Sequence, residues 1–283
     1  MTISKIGVIG AGTMGNGIAQ ICALKSLPVV MLDINDAAVQ KGLAAISASF
    51  DRLIKKGTLT APDKEAALGR IRCTTQLADL KDMDIAIEAA TENAGIKVKL
   101  LQDIDALLKP EAIIASNTSS ISITRLAAAT QRADKFIGMH FFNPVPLMAL
   151  VELISGLQTS DATRADVEDL AKRLGKTPIN VKNRPGFVVN RLLIPMINEA
   201  VFALEEGLAT AKEIDDGMKA GCNHPIGPLA LADLIGLDTV LSVMNVFYDG
   251  FNDPKYRPAP LLKEMVDAGR LGRKTGQGFY PYK

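Results

Sequence analysis

Residues 5–15 read KIGVIGAGTMG, a short apolar run followed at once by three spaced glycines. The run 5–9 predicts a β-strand, and residues 16–24 predict a helix. A second strand is predicted over 27–32 and ends at Asp33, so a strand, a turn, a helix and a strand fit within about 30 residues. This order predicts a βαβ unit at the start of a layered α/β domain.

The turn after the first strand carries a GxGxxG motif, formed by Gly10, Gly12 and Gly15. In such a motif the first glycine permits a tight turn, the second lets a pyrophosphate approach the backbone, and the third lets the helix pack closely. The N–H groups at the helix start, around Thr13 and Met14, would bind the anion. Asp33 would accept hydrogen bonds from ribose hydroxyls and repel a 2′-phosphate. The motif therefore predicts a Rossmann-type domain that binds NAD rather than NADP, with FAD as a weaker alternative.

Apolar runs and helical stretches alternate as far as residue 182. Strands are predicted at 84–89, 112–116, 136–140, 151–156 and 177–181, and helices at 36–56, 94–108, 123–129 and 164–174. This alternation predicts a parallel sheet with right-handed crossovers. After Pro185 the pattern is mainly helical and includes a long apolar helix over 187–208. We therefore expect an NAD-binding Rossmann-type α/β domain over 1–184 and an all-α domain over 185–283.

Composition excludes several classes of function. The 283 residues carry 32 basic and 31 acidic side chains, a net charge of +1, which argues against nonspecific binding to nucleic acid or membranes. Cys22, Cys73 and Cys222 are far apart and form no CxxC pair, so neither a metal site nor a disulfide framework is expected. No apolar run reaches the ~18 residues of a membrane span, and no signal peptide is expected. These features favour a cytoplasmic protein.

Residues 138–144, GMHFFNP, contain His140, one of only two histidines in the chain. It falls at the end of a predicted strand, on the edge where ligands of α/β sheets collect, and histidine suits proton transfer near neutral pH. From the residues alone, a histidine packed in the core fits equally well. Glu152 lies within the apolar stretch LMALVELIS, where an acid is costly unless it is paired. It is therefore a candidate partner for His140, although an exposed edge-strand position would also explain it.

Several motifs in order resemble one enzyme family. They are GAGTMGNGIAQ (10–20), IEAATE (87–92), ASNTSS (115–120), GMHFFNPVP (138–146) and PGFVVNRLLIPMINEA (185–200). Together they are similar to the (S)-3-hydroxyacyl-CoA dehydrogenases, especially the bacterial 3-hydroxybutyryl-CoA members. The resemblance covers essentially the whole chain.

The resemblance implies roles for individual residues. His140 corresponds to the general base, Glu152 to its acidic partner, Ser119 to a hydrogen-bond donor to the substrate oxygen, and Asn190 to an asparagine near the substrate carbonyl oxygens. The contacts implied for NAD involve Glu92 and Lys97 near the ribose and nicotinamide, Asn143 on the nicotinamide side, and Lys274 further away. A solvated helix start would explain Glu92 and Lys97 as well.

The resemblance also implies a site for the phosphates of coenzyme A at the basic run 50–57. Its candidate contacts are Arg52, Lys55 and Lys56, which could equally be an ordinary solvated helix end. We therefore expect an NAD-dependent enzyme that interconverts 3-hydroxybutyryl-CoA and acetoacetyl-CoA, as a homodimer formed through the C-terminal domain. Two alternatives stay open: a dehydrogenase of a free hydroxy acid, and a non-catalytic NAD-binding relative.

Overall fold

The computed structural model describes residues 2–282, which form two compact units with a boundary between Arg184 and Pro185. Within the described residues, the strands of the first unit form one sheet in the spatial order β3-β2-β1-β4-β5-β6-β7-β8. The strands are β1 (Ile6–Ile9), β2 (Val29–Leu32), β3 (Ile71–Thr74), β4 (Ile85–Glu88), β5 (Ile113–Ser116), β6 (Phe136–Phe141), β7 (Leu150–Ser155) and β8 (Thr177–Lys182). The chain order reverses between β1 and β4. Ligands of open α/β sheets bind at such a reversal.

The helices of the first unit pack on this sheet. They are α1 (Thr13–Leu24), α2 (Asp36–Lys55), α3 (Ala61–Leu68), α4 (Ala94–Leu107), α5 (Ile123–Ala127) and α6 (Asp161–Arg173). The predicted elements are present, with ends shifted by a few residues. Strand β3 and helix α3 were not predicted, although Thr60 and Asp63 form a capping box that marks the start of α3.

The prediction of a wholly parallel sheet is wrong for the last two strands. Strands β1 to β6 are parallel, but β7 pairs with β6 in the antiparallel direction, and β8 then pairs with β7 in parallel. A parallel return needs a crossover of about a dozen residues or more. The segment 142–149 is shorter than that and contains no helix, so β7 has to run back alongside β6.

The second unit is helical, as predicted, and has its own apolar core. Its described helices are α7 (Val189–Glu205), α8 (Ala211–Cys222), α9 (Pro228–Ile235), α10 (Leu237–Phe251) and α11 (Pro260–Asp267). Helix α7 is shorter than the predicted 187–208. It starts late because Gly186 and Phe187 have positive φ, and it ends before Gly207, which is also left-handed. One face of α7 is buried through Ile194, Ile197 and Val201.

Among the described residues, no single helix has the length and apolar character to cross a membrane; only α9 and α10 together meet those criteria, across a 98° bend. Over the same residues, no cluster of three or more histidine, cysteine or acidic side chains could hold a metal ion.

Candidate active site

The glycine turn between β1 and α1 is built by contacts that only glycine allows. Gly10 has φ +101°, and a Cβ there would lie 2.6 Å from the carbonyl oxygen of Ala89. A Cβ on Gly15 would lie 1.7 Å from the carbonyl oxygen of Gly10. Both glycines are therefore required by the protein's own packing, which brings the start of α1 against the end of β1.

The glycine at position 12 and the missing side-chain cap of α1 are not explained by packing of the protein itself. Within residues 2–282, a Cβ on Gly12 would meet no other heavy atom within 4 Å, so packing does not demand glycine there. Helices α2 to α6 each begin with a side-chain cap, whereas α1 has none and no acid in its first turn. A bare backbone at an uncapped helix start fits the pyrophosphate of a dinucleotide, whose anion the N–H groups would bind.

Asp33 joins this turn to the end of β2. Its Oδ2 accepts a hydrogen bond from the N–H of Ala11 at 2.6 Å, and its Oδ1 accepts one from the N–H of Ile34 at 2.7 Å. A carboxylate oxygen can accept more than one hydrogen bond, so these contacts leave acceptor capacity for ribose hydroxyls. Asp33 therefore shapes the glycine turn as well as carrying the charge expected to oppose a 2′-phosphate.

His140 and Glu152 face each other directly across the antiparallel pair of β6 and β7. His140 Nδ1 lies 2.7 Å from Glu152 Oε2, and both side chains are buried. The Phe142 ring lies against the imidazole, with 4.7 Å between the ring centres. A buried carboxylate at hydrogen-bonding distance holds an imidazole in one orientation and stabilises its cationic form. The arrangement can therefore support proton transfer at the other ring nitrogen, Nε2.

Ser119 lies in the segment that follows β5 and is bound to Glu92. Its N–H and its hydroxyl both donate to Glu92 Oε1, at 2.8 and 3.1 Å, and the hydroxyl of Thr118 donates to the same carboxylate. Asn117, in the same segment, accepts a hydrogen bond from the N–H of Phe141, next to His140. These contacts tie the end of β5 to the end of β6, on the sheet edge that carries the glycine turn.

Lys97 has surroundings that the sequence interpretation did not predict. Instead of lying at a solvated helix start, it is 2% exposed and its ammonium contacts both carboxylate oxygens of Glu88, at 2.6 and 2.5 Å. Glu88 ends β4 and is fully buried. No role was predicted for Glu88, although it is an acid in an apolar run and, like Glu152, needs a partner there.

Asn143 is exposed on the segment between β6 and β7. This segment is held by Lys176, the residue that directly precedes β8. Lys176 is buried, and its ammonium donates to the carbonyl oxygens of Val145 and Met148 at 2.5 and 2.7 Å. Burial lowers the pKa of Lys176. Val145 packs against Gly17 of α1, where a Cβ would lie 2.8 Å from the Cβ of Val145. The segment that carries Asn143 is thus fixed from two sides.

The remaining predicted site residues lie away from these contacts or in the second unit. Arg52, Lys55 and Lys56 are exposed at the C-terminal end of α2. In the second unit, Asn190 occupies the first turn of α7, and the ammonium of Lys274 donates to both carboxylate oxygens of Asp238. Burial alone would raise the pKa of Asp238, but the hydrogen bond from Lys274 and those from the backbone lower it.

Comparisons with known proteins match both units of the chain. Residues 5–184 match the family model described as the NAD binding domain of 3-hydroxyacyl-CoA dehydrogenase, and residues 186–282 match its C-terminal domain. The chain belongs to the 3-hydroxyacyl-CoA dehydrogenase family. The predicted resemblance, fold class and NAD cofactor are therefore confirmed, and the chain is an NAD-dependent oxidoreductase of that family.

Individual members of the 3-hydroxyacyl-CoA dehydrogenase family match over all or nearly all of their length. The 3-hydroxybutyryl-CoA dehydrogenase of Bradyrhizobium diazoefficiens is 52% identical over 99% of this chain and 96% of its own. The crystal structure of the (S)-3-hydroxybutyryl-CoA dehydrogenase of Ralstonia eutropha has a TM-score of 0.98 and 68% identity over all of both chains. A Mycobacterium tuberculosis structure, FadB2, has a TM-score of 0.97 at 41% identity, again over both full chains.

Proposed function

We propose that this chain interconverts (S)-3-hydroxybutyryl-CoA and acetoacetyl-CoA, with NAD as the redox cofactor. The observation that carries the proposal is the buried pair of His140 and Glu152, on the same sheet edge as the glycine turn. The full-length relatives named 3-hydroxybutyryl-CoA dehydrogenase supply the choice of substrate.

The proposed chemistry assigns the proton to His140. The glycine turn and Asp33 would hold the nicotinamide cofactor, which would supply the hydride to the β-carbon in the reducing direction and take it up in the oxidising direction. In the reducing direction, the cationic His140 donates a proton from Nε2 to the β-oxygen and becomes neutral; in the oxidising direction it takes that proton back. Glu152 stabilises the cationic ring through Nδ1. Ser119 donates a hydrogen bond to the β-oxygen as negative charge develops there, and Asn190 assists at the carbonyl oxygens.

The direct test compares acetoacetyl-CoA with free acetoacetate, using NADH and NADPH in parallel. We expect turnover of the CoA thioester with NADH, and a kcat/KM for free acetoacetate lower by at least about a hundredfold, because the acid lacks the CoA binding groups. Equal rates for the two substrates would contradict the CoA assignment. Failure of every substrate would favour the non-catalytic alternative.

The free-acid alternative has one observation in its favour. Two proteins of similar fold are named for substrates without CoA: a diketoreductase acting on dicarbonyl compounds, at 30% identity, and a dehydrogenase of a pyridine carboxylic acid, at 34%. Against it, the related dehydrogenases of free β-hydroxy acids use a lysine in the second domain, and α7 contains none. The substrate comparison above separates the two functions.

The proposed binding site for the CoA phosphates is the C-terminal end of α2. Lys55 and Lys56 are exposed there, beside Arg52, so phosphates could reach all three cations. In a Lys55→Glu/Lys56→Glu variant we expect the KM for acetoacetyl-CoA to rise about tenfold or more while the KM for NADH stays unchanged. Lys41→Glu, on the same helix, is the matched control. An equal rise in both constants would place the CoA phosphates elsewhere.

We further propose that the protein is a cytoplasmic homodimer formed through its second unit. Leu192 of α7 is 69% exposed, and Val188 and Leu208 near the ends of that helix are also exposed, which fits a face that a second copy covers. Sedimentation velocity would show a species of twice the 30.2 kDa chain mass. A concentration-independent monomer would contradict the proposal. The three free cysteines agree with a reducing compartment.

A further inference from the structure

A buried ion pair lies at the end of β4, and its anion is fully coordinated. Besides the two contacts from Lys97, Glu88 Oε2 accepts from the hydroxyl of Ser116 at 2.7 Å, and Oε1 accepts from the N–H of Ala90 at 2.8 Å. Two apolar residues of similar volume would often serve stability as well as such a pair. The presence of charge here therefore calls for an explanation other than packing.

The ion pair continues toward Ser119. The ammonium of Lys97 lies 3.7 Å from Glu92 Oε2, and Glu92 is the carboxylate that accepts from the N–H and hydroxyl of Ser119. Three charges thus alternate in sign from the buried Glu88 through Lys97 to Glu92, whose side chain is 47% exposed. Lys97 is held on one side by a rigid buried anion, so it acts on Glu92 from a fixed position.

We propose that Glu88 is a positioning residue for the reaction. Glu88 acts on Ser119 through Lys97 and Glu92. This inference rests on the proposed function, in which Ser119 donates to the substrate oxygen. With Glu88 in place, Lys97 divides its charge between two carboxylates, and Glu92 stays bound to Ser119. Without the buried anion, the whole charge of Lys97 acts on Glu92. The carboxylate then moves toward the ammonium and no longer holds the Ser119 N–H, the contact that fixes the position from which the hydroxyl turns to the substrate oxygen.

A double-mutant cycle tests this link, because a residue that only supports the fold would act independently of Ser119. The four proteins are the wild type, Glu88→Gln, Ser119→Ala and the double variant. For acetoacetyl-CoA with NADH, we expect Glu88→Gln to lower kcat/KM about tenfold or more in the wild type and less than about twofold in the Ser119→Ala background. Equal fold-changes in both backgrounds would overturn the proposal.

Glu88→Gln leaves the buried Lys97 without its full counter-charge, so its folding is checked by thermal unfolding. If it does not fold, the cycle is run with Glu88→Gln/Lys97→Met, which removes both buried charges and keeps similar side-chain volumes. The same non-additivity with Ser119→Ala is expected for a different reason, because Glu92 then loses the ammonium that fixes its carboxylate beside Ser119. Additive effects in that cycle would overturn the proposal in the same way.

Two further variants complete the design. Glu92→Gln changes the exposed link without removing either charge of the buried pair. Its effect on kcat/KM for acetoacetyl-CoA, measured at saturating NADH to remove the contribution of cofactor binding, should also disappear in the Ser119→Ala background. Asp103→Asn is the matched control, since Asp103 is a carboxylate paired with Lys99 on the exposed face of α4, the helix that carries Lys97. It should leave kcat/KM unchanged. A wild type that does not turn over acetoacetyl-CoA would refute the proposed function itself, whereas an active wild type with additive variants would refute only the role of Glu88.

Discussion

His140 is held by an acid on one side and an aromatic ring on the other, both supplied by the protein itself. The pairing partner is set by the β-ladder, so the orientation of the ring needs no rearrangement during the reaction. We expect His140→Ala to lower kcat by about two to four orders of magnitude, because the proton transfer loses its donor. Fluorescence titration should show NADH affinity little changed. Unaltered turnover would remove His140 from the mechanism.

Asp33 combines two tasks at one residue, since it anchors the N–H of Ala11 and carries the charge near the expected ribose. Asp33→Ala should reduce the preference for NADH over NADPH, measured as the ratio of kcat/KM values, by about tenfold or more, equivalent to about 1.4 kcal/mol. Asp36→Ala, an exposed acid at the start of α2, should leave the ratio unchanged. A persistent strong preference for NADH in Asp33→Ala would assign the discrimination to another residue.

The segment between β6 and β7 contains no helix or strand, yet hydrogen bonds and packing contacts hold it in place. Lys176 donates two of the hydrogen bonds that anchor it, to the carbonyl oxygens of Val145 and Met148. Lys176→Met removes them and should lower the free energy of unfolding by about 2 kcal/mol. Because Asn143 lies on this segment, the KM for NADH should also rise several-fold.

The control for this variant is Lys172→Met, a lysine on α6 that is exposed and paired with Glu168. Urea unfolding and initial-rate kinetics on both variants distinguish the two effects. A loss of stability in Lys176→Met with an unchanged KM for NADH would show that the anchoring does not reach the cofactor.

The acid stability of the whole molecule depends in part on Asp84, which joins the start of the chain to the sheet. Burial would raise the pKa of Asp84, but hydrogen bonds from Lys109, Ser4 and Lys5 outweigh it and lower the pKa far below 3.8. A lowered folded-state pKa means that its stabilisation is complete above the unfolded-state value and is lost as the pH falls below about 4.

Asp84→Asn should therefore lower the free energy of unfolding by about 2 kcal/mol at pH 7, since Asp84 accepts from three donors and pairs with Lys109. The difference from the wild type should shrink between pH 5 and pH 3. Asp82→Asn, an exposed neighbour, should show neither effect. A constant difference across that pH range in urea unfolding would mean that the Asp84 charge does not contribute.

Across the fold and the site, the sequence predicts the features that depend on local pattern and misses those that depend on partners distant in the chain. The βαβ segment from β1 to Asp33 can be predicted from glycine spacing and strand periodicity, which are local features of the sequence. The contact of Glu152 with His140 could be anticipated because an acid in an apolar run needs a partner. The burial of Lys97 and the anchoring by Lys176 could not, since a helix start is normally solvated and backbone carbonyl acceptors leave no mark in a sequence.

The reversal of direction between β6 and β7 places His140, Glu152 and the segment with Asn143 on one continuous stretch, 136–155. For protein engineering, that stretch is a single exchangeable cassette. Replacing it with the equivalent stretch of a relative would transfer the histidine, its acid and their register in one step. The glycine turn, and with it the choice of cofactor, would stay with the recipient.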